Sequence, residues 1–139
     1  MKHLTPQQAW AWLQAEREQR VARGEEPPLF VDVRMEIESL YVGRPPGVEN
    51  IPWYEYPDLT PDPARFASSV EQEAGDKHRP ILLICRSGKR TLDAGQALEA
   101  AGFSDVSHVL HGFEGELNEA FKRSSINGWR HDGLPWEQM

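Results

Sequence analysis

Cys85 is the only cysteine among the 139 residues of the chain. It ends an apolar run, Ile81-Leu82-Leu83-Ile84, and is followed by Arg86-Ser87-Gly88-Lys89-Arg90-Thr91. Three of the five residues after the thiol are cations. Positive charge and the N-terminus of the following Ala- and Leu-rich helix both favour a thiolate over a thiol. A tight loop with glycine at its middle can also turn successive backbone N–H groups toward an anion. The pattern reads as a nucleophilic thiolate inside an anion-binding loop. A packing role alone, as one more buried strand residue, leaves Gly88 and the three cations unexplained.

Such a loop needs a scaffold that presents it. Thr5-Pro6-Gln7-Gln8 carries the signals of a helix start, with Thr as N-cap, Pro at N1 and Gln at N3. That helix is expected to run to about residue 22, with Ala9, Trp12 and Leu13 inward and Trp10 also packing. Leu29–Val33 reads as a buried strand and 48–51 as a weaker one. Asp62-Pro63 opens a helix carrying Phe66, Ala67, Val70 and Ala74, and Gly75 closes it. Ile81–Ile84 reads as a strand covered on both faces. Thr91–Ala101 is predicted helical up to Gly102, 106–110 a strand, and 113 to about 123 a last helix. Residues 1–4 and 124–139 are expected as less regular tails, with Trp129 and Trp136 pinning the second. Strands alternating with helices predict one α/β domain with a mainly parallel sheet and helices on both faces. Ligands of such sheets bind beyond the carboxyl ends of the strands. Cys85, the Asp32–Arg34 pair and His111-Gly112 all fall at such ends.

At these residues the chain resembles the single-domain rhodanese sulfurtransferases, whose active-site loop places four residues between a cysteine and an arginine. Cys85 and Arg90 have that spacing. Phe30-Val31-Asp32-Val33-Arg34 resembles the family's Asp-Val-Arg strand end. Residues 43–52 resemble its Gly-His-Ile-Pro-Gly-Ala-x-Asn-Ile-Pro stretch, with Arg44 and Pro45 in place of His and Ile. Val109-Leu110-His111-Gly112-Phe113 resembles its Val-Leu-x-Gly-Gly-Phe segment, and the Gly133-Leu134-Pro135-Trp136 ending is also similar. The resemblance implies a rhodanese-like fold and transfer of a sulfane sulfur by double displacement, with Cys85 as nucleophile. A donor such as thiosulfate would leave as sulfite, and cyanide or a thiol would take the sulfur from a persulfide. Arg86, Ser87, Gly88, Lys89, Arg90 and Thr91 would bind the substrate, with Arg90 closing the loop inward. Asp32 and Arg34 are read as an ion pair bracing the strand end. Arg44 is read as altered loop packing and His111 as a surface residue.

Two other readings stand beside this one. Cysteine-dependent phosphatases place five residues between cysteine and arginine, against four here. A persulfide carrier or binding module without significant turnover would need the same cysteine. Without a second cysteine, sulfur on Cys85 must leave to another molecule.

Composition sets the outer limits. Hydrophobic residues make up 39% of the chain, the range of a single folded domain. No apolar run spans a bilayer, and the first residues lack the apolar core of a signal peptide. A lone cysteine suits a reducing compartment, so a cytoplasmic location is expected. The net charge of −7 speaks against nucleic acid as a partner. It also makes the cationic loop a local attractor for a small anion. The histidines have no metal-ligand spacing and one cysteine excludes the usual zinc patterns, so neither metal nor cofactor is expected.

Overall fold

A computed structural model describes residues 1–139. The chain runs β1 (Lys2–Leu4), α1 (Pro6–Ala22), β2 (Leu29–Asp32), β3 (Glu49–Asn50), α2 (Pro63–Ala74), β4 (Ile81–Ile84), α3 (Arg90–Ala100) and β5 (Val106–Val109). A π-helical turn, Glu38–Val42, lies between β2 and β3. The strands form one parallel sheet in the order β1-β5-β4-β2-β3.

Local chemistry accounts for the helices. The Gln8 N–H donates to Thr5 Oγ1 at 3.2 Å, and the Thr5 N–H donates to Gln8 Oε1 at 3.0 Å. This reciprocal cap satisfies two donors that the first turn would otherwise leave open. Asp62 Oδ1 accepts from the Arg65 N–H at 3.1 Å and starts α2, with Pro63 at its first position. Gly75, at φ 75°, ends α2 in a left-handed conformation that glycine adopts at little cost.

Alternation along each strand divides the core in two. Leu29, Val31, Ile81, Leu83 and Val106 face one side, where α2 and α3 bring Phe66, Val70, Ala94 and Leu98. Phe30, Leu82, Ile84 and Val109 face the other, against Ala9 and Leu13 of α1 with Phe113 and Trp129. The central strands β2, β4 and β5 are buried along their whole lengths, as parallel strands covered on both faces must be.

Three expectations change. Residues 2–4 are not an irregular tail: β1 pairs with β5, placing His3 beside His108. Trp12 is only half-buried, while Ala9 and Leu13 are fully inside. Residues 113–123 form turns instead of a helix. Gly112 and Gly115 sit at φ 62° and 76°, and Phe121 is at 59°. The N–H groups of Phe113 and Glu114 donate to the carbonyls of Cys85 and Arg86 at 2.7 and 2.9 Å. The left-handed residues interrupt any helix here, and contact with the cysteine loop, which no local periodicity reveals, docks the segment.

The C-terminal segment is fixed by its aromatics. Trp129 is fully buried, contacts Phe30 and Trp10 through its ring, and donates from Nε1 to the Pro135 carbonyl at 2.7 Å. Trp136 is partly exposed and packs edge-on to Phe113. Truncation of Trp129 to alanine would leave a large cavity beside α1. We expect Trp129→Ala to lower stability by about 3–5 kcal/mol, measured as a shift in urea midpoint at unchanged m-value.

Candidate active site

Cys85 follows β4 directly and is 1% exposed. The loop after it turns back so that the Gly88 N–H donates to Cys85 Sγ at 3.1 Å. Gly88 is at φ 93°, and a Cβ there would press on the His111 backbone nitrogen at 3.0 Å. Both the backbone angle and the close approach require glycine. The N–H groups of Arg86, Ser87 and Lys89 have no partner within the protein. Helix α3 starts at Arg90 with no side-chain cap. The loop therefore combines one donor on the sulfur with open donors around it, at the positive end of a helix dipole.

Surrounding segments hold this loop. Gly112 lies so close to the Cys85 and Arg86 carbonyls that any Cβ would collide with them. Arg90 makes a bidentate pair with Glu38, at 2.8 and 3.0 Å, with its guanidinium 5.3 Å from the Tyr54 ring centroid. Burial would raise the Glu38 carboxyl pKa. The Arg90 hydrogen bonds and charge outweigh it, with help from the Met35 N–H and the Arg34 charge, and hold the pKa below the usual glutamate value. Arg90 itself loses by burial and gains more from Glu38, so its pKa is raised.

Asp32 and Arg34 are both fully buried at the end of β2. Arg34 Nε and Nη2 donate to the two Asp32 carboxylate oxygens at 2.9 and 2.7 Å, and Nη2 also donates to the Gly43 carbonyl. The pair is a brace for the strand end, with no contact to the sulfur.

Outside the loop opens a cavity of about 340 Å³ lined by Glu38, Tyr54, Arg86, Arg90, Glu114 and Arg123, with Met35 and Val42. Arg86 reaches this wall and forms no ion pair. Lys89 is exposed and lies outside it. Arg44 pairs with Glu137 at 3.4 Å and is turned to the C-terminal segment. His111, partly exposed, lies 4.0 Å from Glu116. Sequence reasoning missed Glu38, which sits 52 residues from the arginine it pairs with. It also missed what lies behind Cys85. Thr91 Oγ1 is 3.7 Å from Sγ and 2.8 Å from His108 Nδ1. His108 Nε2 is in turn 2.7 Å from His3 Nδ1. Burial, then the neighbouring His3 and the amino terminus, push the His108 pKa down to about 4.

The family model described as "Rhodanese-like domain" matches residues 5–119. The chain belongs to the rhodanese-like domain family. The rhodanese-like Drosophila melanogaster protein "Rhodanese domain-containing protein CG4456" is 34% identical over 98 residues, 70% of this chain and 85% of that protein. The crystal structure of Rv0390 from M. tuberculosis superposes with a TM-score of 0.82 at 32% identity, covering 100% of this chain and 98% of that one. A thiosulfate sulfurtransferase from Pseudomonas aeruginosa shares the fold at 19% identity and a TM-score of 0.67, over 99% of this chain and 20% of its own. In this rhodanese-like chain the four-residue interval between Cys85 and Arg90 coincides with the loop whose Gly88 N–H caps the sulfur.

The Glu38–Arg90 pair makes a pH prediction. A carboxyl held below its ordinary pKa contributes stability that is fully present above the unfolded value, about 4.3. That contribution is lost as pH falls through the lower folded value. Glu38→Gln should reduce stability at pH 7 and flatten the acid decline from about pH 5 downward. Urea midpoints of both proteins across this range would show it, and parallel acid declines would contradict it.

Proposed function

We propose that this protein is a sulfurtransferase that carries a sulfane sulfur as a persulfide on Cys85. The observation that carries the reading is the loop itself: a buried sulfur capped by Gly88 N–H, with unpaired loop donors beside it. The Cys85 thiolate attacks the outer sulfur of thiosulfate. The S–S bond of the donor breaks, its electron pair leaves with sulfite, and Cys85 becomes a persulfide anion. Loop N–H groups stabilise that anion. A second nucleophile, cyanide or a thiol, then takes the outer sulfur and restores the thiolate. Arg86, at the cavity wall and free of ion pairing, draws the anionic donor. Thr91 lies at the sulfur from the helix side.

The donor is read as a small anion because the loop's charge opposes the chain's net −7. The acceptor, a thiol or cyanide, is another molecule, since the chain offers no second cysteine. The same absence supports a carrier role, in which the persulfide is handed to a partner with little turnover on cyanide. Phosphate chemistry fits less well, because the loop closes tightly on one sulfur atom. A reducing cytoplasm suits this chemistry, and no nucleic acid, membrane, metal or cofactor enters it. No helix is long and apolar enough to cross a membrane.

Thiosulfate should add about 32 Da, one sulfur atom, to the intact protein, and cyanide should remove it. Cys85→Ser should abolish the adduct and reduce thiocyanate formation to background, with its circular dichroism unchanged. Sulfur transfer retained by the folded variant would overturn the assignment. p-Nitrophenyl phosphate should not be hydrolysed.

Arg86→Ala should raise the Michaelis constant for thiosulfate about fivefold, the equivalent of ~1 kcal/mol for an exposed charge, with kcat little changed. Steady-state kinetics at low salt would test this, because salt screens exposed charges.

A further inference from the structure

Strand order places three side chains in a row behind the sulfur. His3 of β1 is in register with His108 of β5, and His108 with Leu83 of β4, two residues before Cys85. Thr91, on the first turn of α3, bridges His108 to Cys85. The row runs from the buried sulfur to the edge of the sheet, where His3 is exposed. Neither histidine lines the cavity in front of the loop.

We propose that Thr91, His108 and His3 form a proton path joining the buried Cys85 sulfur to solvent at the sheet edge, with His108 a positioning residue for sulfur transfer. This rests on the sulfur-transfer reading of Cys85.

The chemistry of the contacts sets the path's two states. His108 is buried and neutral at ordinary pH, so it carries one ring proton. Both of its nitrogens have partners, Thr91 Oγ1 at 2.8 Å and His3 Nδ1 at 2.7 Å. One nitrogen must therefore donate while the other accepts. In the first state the Cys85 thiol donates to Thr91 Oγ1, the Thr91 hydroxyl donates to His108 Nδ1, and His108 Nε2–H donates to His3 Nδ1. One proton then moves at every step. The S–H bond breaks, Thr91 gains that proton and passes its own to His108 Nδ1. His108 passes its Nε2 proton to His3, which becomes an imidazolium and releases a proton from Nε2 to water.

In the second state each donor points inward. His3 Nδ1–H donates to His108 Nε2, His108 Nδ1–H to Thr91 Oγ1, and the Thr91 hydroxyl to the thiolate. The Gly88 carbonyl, 3.2 Å from Thr91 Oγ1, competes for that hydroxyl proton. A charged sulfur is the stronger acceptor. The path thus supplies a second hydrogen bond to the thiolate, beside that of Gly88, and supplies it only once the proton has gone. The charged groups near the pair are the Met1 amine, 2.8 Å from Glu99, and Lys2, 3.7 Å from Asp105, and the amine adds to the forces that keep His108 neutral.

The test reads the ring nitrogens directly. Protein with 15N-labelled histidine would be titrated from neutral to alkaline pH by NMR, with thiolate formation followed by ultraviolet absorbance. The His108 proton should move from Nε2 to Nδ1 as the thiol ionises, and Cys85→Ser should show no such change. A His108 tautomer that ignores the ionisation overturns the path. Kinetics give a second arm. His108→Asn keeps an amide toward Thr91 but relays no proton, and His3→Phe blocks the outer end. Each should slow single-turnover persulfide formation about tenfold or more and should lessen its solvent isotope effect. Wild-type rates and isotope effects in both folded variants would refute the proposal. The NMR arm needs no turnover, so it separates failure of the path from failure of the sulfur-transfer reading, which activity of Cys85→Ser reports.

Discussion

The buried pair of Asp32 and Arg34 is the constraint on which the carboxyl edge of the sheet is built. Two full charges sit inside the protein with no exposed surface. Burial of either alone would be prohibitive, and the pair is tolerable only because its geometry is bidentate. That geometry fixes more than two residues. Arg34 also takes the Gly43 carbonyl, and its guanidinium lies 4.8 Å from the Phe113 ring centroid. Asn50 donates to the carbonyls of both residue 32 and residue 34. One guanidinium thereby ties the end of β2 to the start of the 43–50 stretch and to the turn after β5.

The cysteine loop inherits its shape from that frame. Phe113, under Arg34, donates its N–H to the Cys85 carbonyl, so the thiol's own backbone is held from the neighbouring strand end. Glu38 holds the far end of the loop through Arg90. Between those anchors, Gly88 alone can close the turn onto the sulfur. The cationic side chains divide their labour accordingly. Arg90 pairs with Glu38, Lys89 is exposed, and Arg86 lines the cavity without an ion pair. Three cations within five residues of sequence thus have three different surroundings in the fold.

Much of the fold is written locally. The Thr5–Gln8 box, Asp62-Pro63 and Gly75 mark helix ends by chemistry that acts within four residues, and the apolar run before Cys85 can only be a covered strand. What escaped the sequence depends on distant partners. Three residues at the start carry no strand pattern of their own, and β5 supplies their hydrogen bonds. Residues 113–123 have helical composition, but left-handed backbone at Gly115 and Phe121 breaks the helix and the cysteine loop docks the segment. The turn after Cys85 and the Asp32–Arg34 brace were legible from spacing and resemblance, whereas Thr91, expected on the substrate side, is buried behind the sulfur against His108. Glu38 was not, and neither were His3 and His108, which stand 105 residues apart and meet only through the strand order.

The two ends of the sheet have a consequence for how molecules of this protein meet each other. A parallel sheet exposes unpaired backbone groups along both outer strands, and such rows can recruit strands from other chains. Here one border strand has three residues and the other two. The first also carries the exposed Lys2, which lies over the Trp12 ring. Both borders are short, and the longer one carries an exposed lysine. Short margins of this kind offer little backbone for edge-to-edge pairing.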